Sequence, residues 1–185
     1  RLQYAAERLS DRALGYGIAY ADPRLSALGA RAILPRANAE TLLRDAGLEP
    51  GMPDDYDRLR IALGVPDGSR DLKIEKAILL ENGFDELNGI DWDKGCYMGQ
   101  ELTARTHYRG LVRKRLMPVR IEGPVPEPGT SVTLGDKEAG EIASGTDGMA
   151  LAMIRLEHLD PPPPPGAFSA GDARVTPIKP DWAKF

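Results

Sequence analysis

A single cysteine, Cys96, sits in the run Lys94-Gly95-Cys96-Tyr97-Met98-Gly99-Gln100-Glu101, set between two glycines and close to a lysine. Glycines tolerate tight turns and close backbone approach, so this setting presents a sulfur to reactants or metals. The competing reading is a small cysteine packed at a turn. The stretch Gln100–His107 is predicted as a helix opened by Gly99, which places the thiol just before a helix N-terminus. The partial positive charge there, with Lys94, favours thiolate, while Asp91 and Asp93 oppose it.

Three chemistries compete for that thiol. A hydrolytic nucleophile needs a histidine base and an orienting acid. The chain has two histidines, His107 eleven residues downstream and His158 far along the sequence. A metal site held by this chain alone is excluded by count, because structural zinc takes four nitrogen or sulfur ligands and an iron–sulfur cluster usually takes four cysteines. Any cluster is therefore shared with a partner protein or a second copy, with Cys96 as this chain's contribution. His107 is a candidate second ligand, or else a surface or hydrogen-bonded histidine.

Downstream, residues 104–120 carry six basic side chains (Arg105, Arg109, Arg113, Lys114, Arg115, Arg120) and no acid. On a chain of formal charge −4 this is a local positive stripe, suited to phosphate, a polyglutamate tail, an acidic partner or RNA, or else a solvated strand and loop. Tyr108 is the one aromatic interleaved there, which supports a single-stranded nucleic-acid platform weakly. The net charge also argues against a protein that coats nucleic acid non-specifically.

These residues need elements to position them. With 185 residues and 42% hydrophobic content, the chain suffices for one large or two small domains. One cysteine excludes an internal disulfide framework and fits a reducing compartment. No apolar run approaches the ~20 residues that span a bilayer, and no signal-peptide pattern is present. The start at Arg1 rather than methionine points to a fragment.

A short helix is expected over Leu2–Leu9, then strands over Tyr16–Ala21 and Ala30–Leu34 joined through Asp22-Pro23-Arg24. A helix capped by Asn38 carries Leu42, Leu43 and Ala46 and stops at Gly47. Another opens at Pro53, turns Tyr56, Leu59 and Leu63 inward, and ends at Gly64 and Pro66. Beyond Gly110, strands are expected over 115–122, 130–134, 138–144, 149–156 and 173–178, separated by Gly and Pro turns, as in a small antiparallel barrel. The five prolines 161–165 form an exposed loop, since proline cannot donate to a sheet interior. The expected fold is α+β, with an α+β domain over 1–111 and a small antiparallel β-barrel over 112–185.

The string KGCYMGQELTARTHYRG (94–110) closely resembles the signature of the YgfZ family, folate-binding relatives of the glycine-cleavage aminomethyltransferase. The likeness is strongest to the branch that includes the mitochondrial iron–sulfur assembly factor. It runs from about Tyr16 to the end and is tight from Val65 to Arg120. Tyr56–Pro66 resembles the helix-to-turn segment that lines the family's folate pocket. Ala62 stands where the aminomethyltransferases carry a pterin-gripping acid, a departure shared with the YgfZ branch. Leu79-Leu80-Glu81-Asn82 resembles the stretch leading into that pocket, without its proline. Family members carry a further upstream segment, about one domain long, that completes the folate-binding domain and is missing here.

The resemblance implies an accessory factor for iron–sulfur cluster assembly or repair, linked to tetrahydrofolate. It would support [4Fe–4S] enzymes such as radical-SAM tRNA-modifying enzymes, without independent turnover. Its partners would be A-type (ISCA-like) carrier proteins and client iron–sulfur enzymes, with no membrane. The compartment would be a bacterial cytoplasm, or the mitochondrial matrix in a eukaryote. Cys96 is the implied redox thiol or shared cluster ligand; Tyr56, Arg60, Glu81, Lys94, Tyr97, Gln100, Glu101 and Arg105 are the implied cofactor-site residues. Two alternatives stay open: a folate-dependent aminomethyl or methyl transferase, and a tRNA-binding module using the basic stripe.

Overall fold

A computed structural model describes residues 17–110 and 112–185. The helix expected over Leu2–Leu9 and the first residue of the strand expected from Tyr16 lie outside the described residues. Two compact units divide the chain between Asp55 and Tyr56.

In the first unit, β1 (Ile18–Ala21) and β2 (Ala30–Ile33) pair antiparallel with Ile18 opposite Ile33 and Ala21 opposite Ala30. The turn between them is tied by Asp22, whose carboxylate takes Arg24 at 2.7 Å and Arg31 at 2.7 Å. Hydrogen bonding from Arg24 first, then Arg31, outweighs the cost of burial and holds the Asp22 carboxyl well below the usual carboxylate range. A helix, α1 (Ala39–Asp45), follows. Asn38 makes no side-chain cap there, since its backbone is already helical at φ −117° and ψ −2°. The other end closes through Leu48 N–H to Leu43 C=O at 2.9 Å, around Gly47 at φ 77°. Ala46 is buried among Ala19, Ala30, Leu34 and Leu48.

The second unit is built on a closed six-stranded antiparallel barrel: β3 (Lys114–Glu122), β4 (Ser131–Leu134), β5 (Lys137–Thr146), β6 (Met149–Arg155), β7 (Phe168–Ala170) and β8 (Ala173–Pro177). Its order is β3-β6-β5-β4-β7-β8, closing back on β3, so no sheet edge is left open. The alternation along β3 sends Met117, Val119 and Ile121 inward, to meet Ile142, Ala152, Ile154, Phe168 and Val175. The strand β7 was not anticipated: it is three residues long, shortly after the prolines, yet Phe168 is wholly buried.

The opposite face of β3 is covered from outside the barrel. Helix α2 (Pro53–Ala62) buries Ile61 against Leu116 and Leu151. Its inward face differs from the expected one. Arg60 and Ile61 are the buried residues, Tyr56 is 44% exposed, and Leu59 and Leu63 are only half-buried. Polar bonding accounts for the difference: Arg60 is drawn inward by Asp57 at 2.8 Å, Asp71 at 2.8 Å and the Ser144 hydroxyl at 2.8 Å. Asp71 in turn accepts the Ser144 N–H at 2.9 Å, stitching the 67–71 turn to β5. The tail closes the same corner, with the Trp182 indole N–H donating to Leu63 C=O at 2.7 Å.

Candidate functional site

The signature segment stands on the surface of the second unit. Gly99 takes φ 88° and opens helix α3 (Gln100–Tyr108). Ahead of it lies Cys96, an exposed free thiol, beside Gly95 at φ 80°. Lys94 places its ammonium 4.5 Å from the centroid of the Tyr97 ring, a cation–π contact. The Gln100 side-chain oxygen accepts the Tyr97 N–H at 3.1 Å, folding the turn back onto the helix start. Lys94, Tyr97 and Gln100 are thus gathered around Cys96 in the chain, while Glu101 and Arg105 lie exposed on α3.

Among the described residues no hydrogen bond joins either histidine to the thiol. The His107 ring lies 4.3 Å from Trp92 and edge-on to Tyr108 at 5.2 Å. His158 reaches the Glu138 carbonyl at 3.3 Å, on the barrel. Several apolar side chains of this segment are exposed: Met98 is 99% exposed, and Trp92, Leu102 and Tyr108 are exposed with it. Arg105 and Arg109 share the outer side of α3 with Leu102. The same segment exposes charges of both signs, Asp91, Asp93 and Glu101 with Lys94, Arg105 and Arg109.

A second feature is a cleft of about 870 Å³ between the 70–82 segment and strands β3, β5 and β6. Glu81, on the 3-10 turn Leu79–Asn82, is buried at its wall. Burial pushes its carboxyl up from the usual value, and Lys114 at 3.5 Å offsets only part of that. Beside it, Asn82 donates to the Ile78 carbonyl at 2.9 Å, while its own oxygen is buried with no partner among the described residues. Lys76 and Arg113 supply cations to the cleft, Lys73 is paired there with Glu141 at 2.6 Å, Glu138 and Glu157 add acids, and Leu116 and Met153 form an apolar wall.

Of the residues expected at a cofactor site, Glu81 lines this cleft. Arg60 does not reach it, because its guanidinium is spent on Asp57, Asp71 and Ser144. Tyr56 is on the exposed side of α2, and Lys94, Tyr97, Gln100, Glu101 and Arg105 belong to the signature segment.

The basic stripe is also shorter in space than in sequence. Arg115 is buried, bonding Glu86 at 2.6 and 3.1 Å and the Leu80 carbonyl at 2.7 Å, so it braces the turn that carries Glu81. Lys114 leans to Glu81. Asn82 and Arg115 were not anticipated as site residues. Only the acids Asp85 and Glu86, near Arg115's partner turn, could have hinted at the latter.

Comparison with known proteins places these features. The family profile for the CAF17 C-terminal beta-barrel domain matches residues 113–185. The mouse mitochondrial iron-sulfur cluster assembly factor IBA57 is 37% identical over 180 residues, covering 94% of this chain and 49% of the mouse protein. Its human counterpart is 36% identical over 182 residues, covering 96% of this chain and 50% of the human protein. The chain therefore spans about half the length of the curated relatives it matches. A crystal structure of the glycine cleavage system aminomethyltransferase T from Bartonella henselae superposes with TM-score 0.62 at 15% identity, over 89% of this chain and 48% of that one. That likeness is one of fold.

Proposed function

The chain belongs to the IBA57/CAF17 (YgfZ-like) family, and from that premise we propose that it is part of an accessory factor for iron–sulfur cluster assembly, in which Cys96 is lent to a cluster held mainly by another protein. The observation that carries the reading is the setting of the thiol: exposed, on a glycine-flanked turn, in a segment where Met98, Leu102 and Tyr108 are exposed too. A thiol meant for the core has no reason to stand there.

In this reading the cluster is cargo. A carrier of the A-type docks over Met98 and Leu102, and Cys96 loses its proton as the sulfur binds iron. Alternatively the same thiol acts in redox exchange with the partner. The clients are [4Fe–4S] enzymes, radical-SAM tRNA-modifying enzymes among them. The compartment is reducing: the mitochondrial matrix in a eukaryote, the cytoplasm in a bacterium. Among the described residues no helix is long and apolar enough to cross a membrane.

Tetrahydrofolate fits the cleft by the chemistry of its lining. The unpartnered Asn82 oxygen and the buried Glu81 carboxyl suit the donor-rich edge of a reduced 2-amino-4-oxopterin. Lys76 and Arg113 suit its glutamate, and Leu116 and Met153 its planar body. When bound, the cofactor supplies one-carbon or redox chemistry; the chain's residues bind and orient it. Because the relatives are twice as long, these residues form one wall of the site. A folate-dependent transferase is the second reading, and the cleft is what favours it.

The test is biological. Cells lacking their own factor are complemented with the full-length protein, wild type or Cys96→Ser, and a [4Fe–4S] client enzyme is assayed. We expect client activity with the wild type alone. Equal rescue by Cys96→Ser overturns the assignment of the thiol.

A further inference from the structure

We propose that a cavity of about 380 Å³ in the second unit is a binding site for a zwitterionic α-amino acid with an apolar side chain. Its polar end is made by Asp85, Arg115 and Lys184, and its apolar wall by Leu80, Leu156 and Phe185. The volume lies in the range of pockets that enclose small molecules. Neither Cys96 nor Glu81 nor Asn82 lines it, so the site is independent of the thiol and of the folate cleft.

Two buried polar atoms of this lining are left over. Buried side-chain donors and acceptors are nearly always paired, and an exception calls for a physical reason. Among the described residues three such atoms have no hydrogen-bond partner: the Asn82 oxygen in the larger cleft, Asp85 Oδ1 and Arg115 Nε. The Arg115 side chain is 8% exposed, and both of its terminal nitrogens are engaged. Nη1 donates to the Leu80 carbonyl at 2.7 Å and to Glu86 at 2.6 Å, and Nη2 to Glu86 at 3.1 Å. Nε is the donor that remains. Asp85 does not use up the guanidinium either, because its Oδ1 stands 3.9 Å from Nη1, outside hydrogen-bond range.

The charges define what fits. Glu86 balances Arg115, which leaves Asp85 as an acid with no hydrogen-bonded cation. Lys184 is held at the wall by its backbone N–H, which donates to Glu86 at 2.7 Å. Its ammonium makes no ion pair among the described residues. A simple anion meets Asp85 and a simple cation meets Lys184, with nothing to offset either repulsion. A zwitterion answers both, its carboxylate taking the Arg115 Nε–H and the Lys184 ammonium, and its own ammonium facing Asp85. The apolar wall then takes the side chain, and the Phe185 ring, 5.1 Å from the Arg115 guanidinium carbon, borders the polar end. Leucine and methionine are the amino acids of matching size and chemistry. Water alone would also pair Nε and Oδ1, and the experiment separates it from an amino acid.

The test is binding of L-leucine and L-methionine to the full-length protein, by calorimetry and by shifts of the Leu80, Asp85 and Arg115 backbone amides. We expect single-site binding that saturates below about 1 mM and moves those amides. L-leucinamide lacks the carboxylate and 4-methylpentanoate lacks the ammonium, so each should bind at least about tenfold more weakly than L-leucine. Asp85→Asn and Lys184→Met should each weaken L-leucine by about tenfold. Arg115 is left intact because it also braces Glu86 and the Leu80 carbonyl. The two ligand analogues carry the test where a variant fails to fold. No saturable binding of either amino acid up to about 10 mM means a cavity filled by water and overturns the proposal. Analogues that bind as well as L-leucine, or shifts confined to other parts of the protein, overturn it too.

Discussion

Arg60 and Asp71 form an ion pair at 2.8 Å with side chains 1% and 0% exposed, on the outer wall of the barrel. Removing one partner leaves the other charged and buried, so Asp71→Ala should lose about 3–5 kcal/mol of stability in urea unfolding. Replacing both with apolar residues, Arg60→Met with Asp71→Leu, should recover most of that loss. A double variant as unstable as the single one would show that hydrogen bonding to Ser144 and Asp67, rather than the uncompensated charge, sets the cost.

The neighbouring Ile61 makes a separate apolar seal on Leu116 and Leu151. Ile61→Ala should cost about 2–5 kcal/mol. Thermal unfolding followed by tryptophan fluorescence is informative here, because Trp182 bonds to Leu63 at the end of the same helix.

Acid should weaken the fold in a defined window. Asp57 is held down to about 2, chiefly by hydrogen bonding from Arg70 and then Arg60, and Asp22 and Asp67 also lie well below the usual range. Carboxyls depressed in the folded state add stability that is complete above about pH 4 and lost as pH falls toward 2. Glu81 works in the opposite sense. Its raised carboxyl binds a proton more tightly folded than unfolded, so its contribution is greatest below its ordinary value of 4.5 and declines as pH rises above it. Glu81→Gln should therefore flatten that decline in a stability–pH profile; an unchanged profile would contradict the burial of this carboxyl.

Much of this arrangement was legible in the residues. Gly99 opens α3 as expected over Gln100–His107, and the Gly and Pro turns after residue 122 separate strands that close into a barrel. What escaped was decided by partners distant in sequence. Arg60 is drawn inward by Asp71 and by Ser144, eleven and 84 positions away. Arg115 left the basic stripe for Glu86 and the Leu80 carbonyl. The strand at Phe168–Ala170 is too short to carry a periodic signal, and is held by β4 and β8 on either side. The sequence left Cys96 between a presented thiol and one packed at a turn, and the structure exposes it; the exposure of Met98 and Leu102 was not anticipated.

The cleft makes its own prediction. In the full-length protein, Glu81→Gln and Asn82→Ala should each weaken tetrahydrofolate binding by about tenfold, measured by calorimetry, since each removes an acceptor from a buried wall. Affinity unchanged in both variants would move folate out of this cleft.

The central claim is that Cys96 is lent to a cluster. Anaerobic reconstitution of the full-length protein with iron, sulfide and an A-type carrier, wild type against Cys96→Ser, tests it most directly. Cys96 is exposed, and serine in its place should change stability by no more than about 0.5 kcal/mol, so any difference reports on the sulfur. We expect a visible sulfur-to-iron charge-transfer band on the complex that requires both Cys96 and the carrier. Identical spectra and identical complex formation with Cys96→Ser would contradict the claim.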